Sequence, residues 1–195
     1  MSTRERIVYE ALVLFSKKGY SDVYVAEIAS AVGIKAPSLY KHFKSKQDIF
    51  FECVKFFYRR MEDAITKNNA DNDFTNISTD ELIEKVCGMF EFYIDDEVAK
   101  MFRRMLMIGR YNNEQLNEIY EKIFIVDAIK YEEDIFFKLI EGKKMKVFDP
   151  HVLALQFYGA VCILIQKYDM HPDLKEEGLK ELRLTVSQFC KSYGL

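Results

Sequence analysis

Between Val32 and Lys46 the chain reads VGIKAPSLYKHFKSK, which holds four lysines and no carboxylate. Ammonium groups beside the hydroxyls of Ser38 and Tyr40, with no anion among them, suit a polyanionic partner. Cations pair with phosphates, hydroxyls reach phosphates and base edges, and small groups such as Ala36 and Pro37 suit thymine methyls. The concentration is local, because the whole chain carries a formal net charge of -3. Residues 1–46 hold eight Lys/Arg against four Asp/Glu, a net of +4, while the remainder holds twenty against twenty-seven, a net of -7. A basic head on an acidic body implies that only the head meets the polyanion.

The elements that must position these groups are legible in VAEIASAVGIKAPSLYKHF (25–43). Two short helices flank a turn at Gly33, a residue that accepts positive φ at little cost. Ile28, Val32, Ile34 and Leu39 take the core positions, and small Ala29 falls where the helices cross closely. Pro37 fits the first turn of the second helix, whose N–H groups have no partner within the helix. This is a helix-turn-helix layout, in which the second helix enters the major groove of double-stranded DNA. Its outward positions are Lys35, Ala36, Pro37, Ser38, Tyr40, Lys41 and His42. Lys44 and Lys46 flank the start of the next helix, where free N–H groups can also hold a phosphate. Replacing Lys46 with Ala is therefore expected to weaken binding to every sequence and to flatten its salt dependence. His42 has a second reading, as a structural wedge between the reading helix and the first helix.

The stretch GYSDVYVAEIASAVGIKAPSLYKHFKSKQDIF (19–50) resembles the DNA-binding signature of TetR/AcrR-type transcriptional regulators. Phe15, Gly19 with Tyr20, Ile28 with Ala29, Gly33, Leu39 with Tyr40, His42 with Phe43, and Ser45 with Lys46 carry the resemblance. It implies that Ser38 and Tyr40 contact DNA, with His42 and Lys46 at or near the backbone and Lys35 and Lys41 at variable reading positions. Two departures stand out. Val23 and Tyr24 occupy places where the family often has a capping Thr or Ser, leaving the Tyr24 hydroxyl to supply that contact. Lys35 replaces the usual Ser or Thr at the start of the reading helix.

Over the rest of the chain, few turn-formers (three prolines, eight glycines) and long apolar periodicities predict an all-α fold. Capping signals at Ser2 with Glu5, Ser45, Ser78 with Glu81, Asn112 with Gln115, and Asp149 before Pro150 divide it into about nine helices. These are expected near 3–18, 25–32, 36–43, 46–67, 79–94, 96–110, 113–141, 150–168 and 175–193. The polar run NNADNDFTN (68–76) is the linker candidate. The organisation expected is an N-terminal three-helix helix-turn-helix DNA-binding domain, 1–46, joined to a larger helical ligand-binding and dimerisation domain, 47–195.

VLALQFYGAVCILI (152–165) is too short to span a bilayer, yet apolar on all sides. One side is expected to face its own domain and the other a second chain, and the final helix shows a seam-like pattern. The homodimer is thus assigned to Phe157, Val161, Leu164, Leu182, Val186 and Phe189. By the resemblance, the larger domain holds a small-molecule effector that alters the spacing of the DNA-binding heads. Its aromatic and Met-rich segment offers Phe90, Tyr93, Phe102, Met105, Tyr120 and Phe124 as a lining for a bulky apolar compound.

Cys53, Cys87, Cys162 and Cys190 are scattered in apolar segments and read as reduced buried thiols of a cytoplasmic protein. No signal peptide, membrane span, cofactor motif or metal constellation is expected. The function expected is that of a ligand-responsive, sequence-specific regulator, a repressor released from a palindromic operator, and not an enzyme. The rival is an α-helical enzyme or ligand carrier using the aromatic cavity. It lacks convergent acid/base groups, since Asp95, Asp96 and Glu97 sit where capping and the helix dipole account for them.

Overall fold

The computed structural model describes residues 1–68, 74 and 77–195, so the linker candidate at 68–76 lies almost wholly outside the described residues. Every regular element among them is helical: α1 (Thr3–Lys18), α2 (Val25–Val32), α3 (Ala36–Leu39), α4 (Lys46–Asn68), α5 (Thr79–Asp95) and α6 (Glu97–Gly109). There follow α7 (Glu114–Glu121), a π-helical turn (Lys122–Val126), α8 (Asp127–Glu141), α9 (Pro150–Tyr168), a short 3-10 turn (Pro172–Leu174) and α10 (Lys175–Tyr193). No described helix is long and apolar enough to cross a membrane.

Local chemistry sets most of the boundaries. Ser2 and Glu5 form a reciprocal capping box, with the Ser2 N–H donating to Glu5 Oε2 at 2.7 Å and the Glu5 N–H to Ser2 Oγ at 3.3 Å. Ser78 and Glu81 repeat it at the start of α5. Asp149 Oδ1 accepts from the N–H groups of His151 and Val152, in the first turn of the helix α9 that Pro150 opens. At α7 the cap is one residue later than expected. Asn113 Oδ1 accepts from Leu116 N at 3.2 Å, while Gln115 accepts from the Gln47 side chain instead.

The contacts group into two compact units. The first comprises Met1–Glu62 and Glu97–Tyr120, the second Asp63–Asp96 and Glu121–Leu195. In the first, α1 packs on α2 and α6 around fully buried Ile7, Leu12, Phe15, Ile28, Leu39 and Phe50. Phe57 stacks on Phe102 with centroids 4.4 Å apart. In the second, α8 packs on α9, and α10 packs on α5 and α9. Phe136, Phe157 and Phe189 meet at 5.1–5.5 Å in its core, an edge-and-tilt cluster favoured by the ring quadrupoles.

Within the second unit one irregularity has an identifiable partner. The π-helical turn interrupts the expected single helix at 113–141 and carries Phe124. The Phe124 carbonyl accepts the Tyr158 hydroxyl at 2.6 Å, and its ring lies 6.2 Å from that of Tyr93. A π turn disturbs the regular ladder of backbone bonds, and the phenol satisfies an acceptor there.

Candidate nucleic-acid interface

The reading element is fixed from below by apolar anchors and from behind by α1. Leu39 is fully buried and Phe43 nearly so. Gly33 ends α2 in the left-handed region at φ 77°, and the Ile34 N–H returns to the Ala29 carbonyl at 2.9 Å. These bonds satisfy the last carbonyls of α2 while turning the chain into α3. Arg6 Nη2 donates to the Val32 carbonyl at 2.8 Å, and the Arg4 guanidinium lies 4.6 Å from the Phe43 ring centroid. Arg4 also pairs with Glu52 of α4 at 2.8 Å. Two N-terminal arginines are therefore engaged in holding the reading element.

With Leu39 and Phe43 facing inward, the side chains between them face outward. Tyr40 is 53% exposed, and Lys35, Pro37, Lys41 and His42 are exposed. Ala36 and Ser38 are partly buried. The exposed position of His42 leaves it no wedging role between helices. The reading helix is shorter than the expected 36–43. Beyond Leu39 the N–H groups of Lys41 and His42 bond three residues back, to Ser38 and Leu39. This tighter spacing closes the last turn early and brings the chain to Ser45, whose Oγ caps α4 through the Asp48 N–H at 3.0 Å.

Tyr24 stands at the start of α2 and is 71% exposed. Its side chain makes no cap; its N–H donates to Glu27 Oε1 at 3.1 Å. Hydrogen bonds from Lys18 and from the Tyr24 N–H hold the Glu27 carboxyl below the usual carboxylate range. The Glu27 carboxylate is thus committed to its neighbours.

Lys46 departs from its expected place at the DNA backbone. Its Nζ donates to the carbonyls of Tyr20, Ser21 and Val23 at 2.9, 3.2 and 3.0 Å, and lies 4.5 Å from the Tyr20 ring centroid. The long stem folds back against the loop before α2, because three convergent carbonyls there need donors. Lys46 in this position is a clasp on the segment that presents Tyr24.

Residues 7–53 match the family model described as bacterial regulatory proteins, tetR family. The whole chain superposes on a Mesorhizobium loti structure described as a TetR-family transcriptional regulator, with a TM-score of 0.76, 19% identity and 99% and 97% of the two chains covered. That N-terminal segment is a tetR-family domain. A structure of the SmeT–triclosan complex superposes with a TM-score of 0.74 at 18% identity, covering 100% of this chain and 93% of that one. In sequence, the negative transcriptional regulator IcaR of the Staphylococcus aureus biofilm operon icaADBC is 32% identical over 120 residues. That match spans 62% of this chain and 61% of the relative's length.

Beyond the head, the chain divides the six expected effector residues between its two units. Phe102 and Met105 are fully buried in the first, and Tyr120 lies there under the Arg110 guanidinium at 3.9 Å. Phe90, Tyr93 and Phe124 belong to the second, where Phe90 is fully buried and packs edge-on against Tyr168 at 6.3 Å.

The dimer residues expected from the seam pattern lie inside the second unit. Leu182, Val186, Phe157 and Leu164 are buried in its core, with Val161 and Phe189 packed against it. A spacing of three and four marks any helix stripe that faces apolar surroundings, so a seam and a core face look alike in sequence. The outward apolar positions of α9 are instead Val152, Leu155 and Ile163, at 47%, 46% and 64% exposure, with Gly159 exposed between them. Their spacing was visible in the all-apolar helix, but nothing in it said which stripe faced out.

Proposed function

We propose that this protein is a dimeric, sequence-specific DNA-binding repressor whose affinity for its operator is lowered by a small-molecule effector. The observation that carries the reading is the outward array of Lys35, Pro37, Tyr40, Lys41 and His42 above buried Leu39, with no carboxylate between Val32 and Lys46. Lysines engage phosphates without regard to sequence, whereas Tyr40, Ser38 and Ala36 lie where base edges and methyl groups can be read. Tyr24 adds a hydroxyl at the start of α2.

The division by role is residues 1–46 for DNA reading and 47–195 for effector binding and dimerisation. It cuts across the packing units because parts of α4, α6 and α7 belong to the unit that contains the head. The effector is small and largely apolar, in keeping with the aromatic character of Tyr93 and Phe124. Dimerisation uses the outward stripe of α9, where Gly159 allows a second chain to approach closely. In the DNA-bound dimer the two α3 elements lie about one helical turn apart, ~34–36 Å, to match a palindromic site. An effector that binds the mismatched state more tightly moves the population away from DNA. Regulation from the cytoplasm and the absence of catalysis follow from that role.

A gel-shift titration with the DNA upstream of the protein's own coding sequence tests the reading. The expected result is a discrete complex that survives excess non-specific duplex. Lack of any complex at low salt would overturn it in favour of an enzyme or ligand carrier.

A further inference from the structure

The reading face from Lys35 to His42 holds no Arg, Asn, Gln, Asp or Glu. Those are the side chains that read guanine, adenine or cytosine through paired or accepting hydrogen bonds, so that code is thin here. What the face carries at its leading end is carbon. In helix-turn-helix proteins the N-terminal residues of the reading helix meet the base edges. In α3 these residues are Ala36, partly buried, and Pro37, exposed. The backbone at this end adds few donors. Pro37 has no N–H, and the N–H groups of Ser38 and Leu39 both donate to the Lys35 carbonyl, at 2.9 and 3.3 Å.

The exposed polar groups flank this apolar tip. Tyr40, Lys41 and His42 follow Leu39, in the tightened turn that leads to α4. Lys35 precedes the helix in extended backbone, at φ -79° and ψ 146°, and its side chain makes no capping bond. An ammonium on a flexible four-carbon stem at that position suits a phosphate. Of the four bases, only thymine presents a carbon group in the major groove, its 5-methyl. A methyl packed against Ala36 and the Pro37 ring leaves water without stranding any hydrogen-bonding group.

We propose that Ala36 and Pro37 are specificity-determining residues that recognise thymine through its 5-methyl group, so that each operator half-site carries T·A pairs where the tip of α3 enters the groove. This rests on the reading of the chain as a sequence-specific DNA binder and names the bases it takes.

Enrichment of operator sequences from a randomised duplex pool by the full chain, followed by exchange of each enriched thymine for deoxyuridine, tests it. The exchange removes the methyl and leaves every hydrogen-bonding edge in place. Burial of one methyl corresponds to about fourfold in affinity, and to roughly fifteenfold when both half-sites are exchanged together. The parent should show this loss at one or two adjacent thymines in each half-site. Ala36→Ser and Pro37→Ser place a hydroxyl at a helix start, where serine is well tolerated. Each should bind more weakly and distinguish thymine from deoxyuridine less, while Pro37→Ala keeps part of the distinction. Thermal unfolding verifies that each variant is folded, and the exchange in the parent decides the methyl claim without any variant. Thymines that exchange without loss, a distinction that survives both serine variants, or a half-site whose preference is for guanine and disappears in Lys35→Ala would overturn the proposal and leave the protein a sequence-specific DNA binder. A pool in which no sequence is enriched would refute the DNA reading itself, and the proposal with it.

Discussion

Lys46 Nζ and the carbonyl of Val23 are joined by a 3.0 Å hydrogen bond, and this ties the first residue of α4 to the segment just before Tyr24. The same ammonium also satisfies the carbonyls of Tyr20 and Ser21. Lys46→Ala should therefore destabilise the protein by about 1–3 kcal/mol through loss of charge-assisted bonds. DNA binding should weaken because Tyr24 is less well placed, while the salt slope stays that of the parent. Urea unfolding combined with binding at several salt concentrations checks this; a slope reduced by about one would return Lys46 to the phosphates.

The fold was legible where its causes are local. Ser2, Ser78 and Asp149 announce helix starts because a cap and its target lie within three residues. Asn112 and Asn113 blurred one boundary because either can cap. The π-helical turn was hidden in KIFIV, which reads as an ordinary apolar helix; its partner, the Tyr158 hydroxyl, lies in another element. The outward positions of Lys35, Pro37, Tyr40, Lys41 and His42 could be read from residue type, since Leu39 and Phe43 fixed the inner side. Type could not decide the direction of a long flexible side chain, and so Lys46 was expected to face out. Nor could it separate core from interface: α9 is apolar nearly all round, and the single apolar stripe of α10 suits a core face as well as a seam.

Glu52 lies between Arg4 and Lys55, whose hydrogen bonds, Arg4 first, bring its carboxyl down to about 2. Because the folded value lies below the unfolded one, the stabilisation is full above about pH 4.5 and is lost as pH falls through about 2. Glu52→Gln should cost about 1–2 kcal/mol at pH 7, discounted because Arg4 and Lys55 are substantially exposed to solvent. The gap between parent and variant in chemical denaturation should close at the acid end.

Glu132 of α8 has the opposite sign, because removal from water disfavours its charged form. Its folded value of about 7 exceeds the unfolded 4.5, so the folded chain holds this proton more tightly. The resulting penalty is absent below about pH 4.5, grows between there and about pH 7, and is complete above. Glu132→Gln should match the parent at pH 4 and exceed its stability by about 1–3 kcal/mol at pH 8. Denaturation curves at the two pH values check the crossing.

A Cβ built at Gly159 meets nothing within 4 Å, and this residue sits on the outward apolar stripe of α9. Gly159→Arg should thus leave the single chain folded while opposing the approach of a second. Sedimentation should show a shift from dimer to monomer with an unchanged circular dichroism spectrum. A variant that remains dimeric would place the interface elsewhere.

The salt dependence of binding to the upstream duplex probes the head most directly, measured from about 50 to about 200 mM salt for the parent, Lys35→Ala and Lys41→Ala. The logarithm of affinity should fall linearly with the logarithm of salt, and each variant should bind more weakly with a slope smaller by about one. Parental slopes in both variants would contradict phosphate contact by the outward lysines of α3.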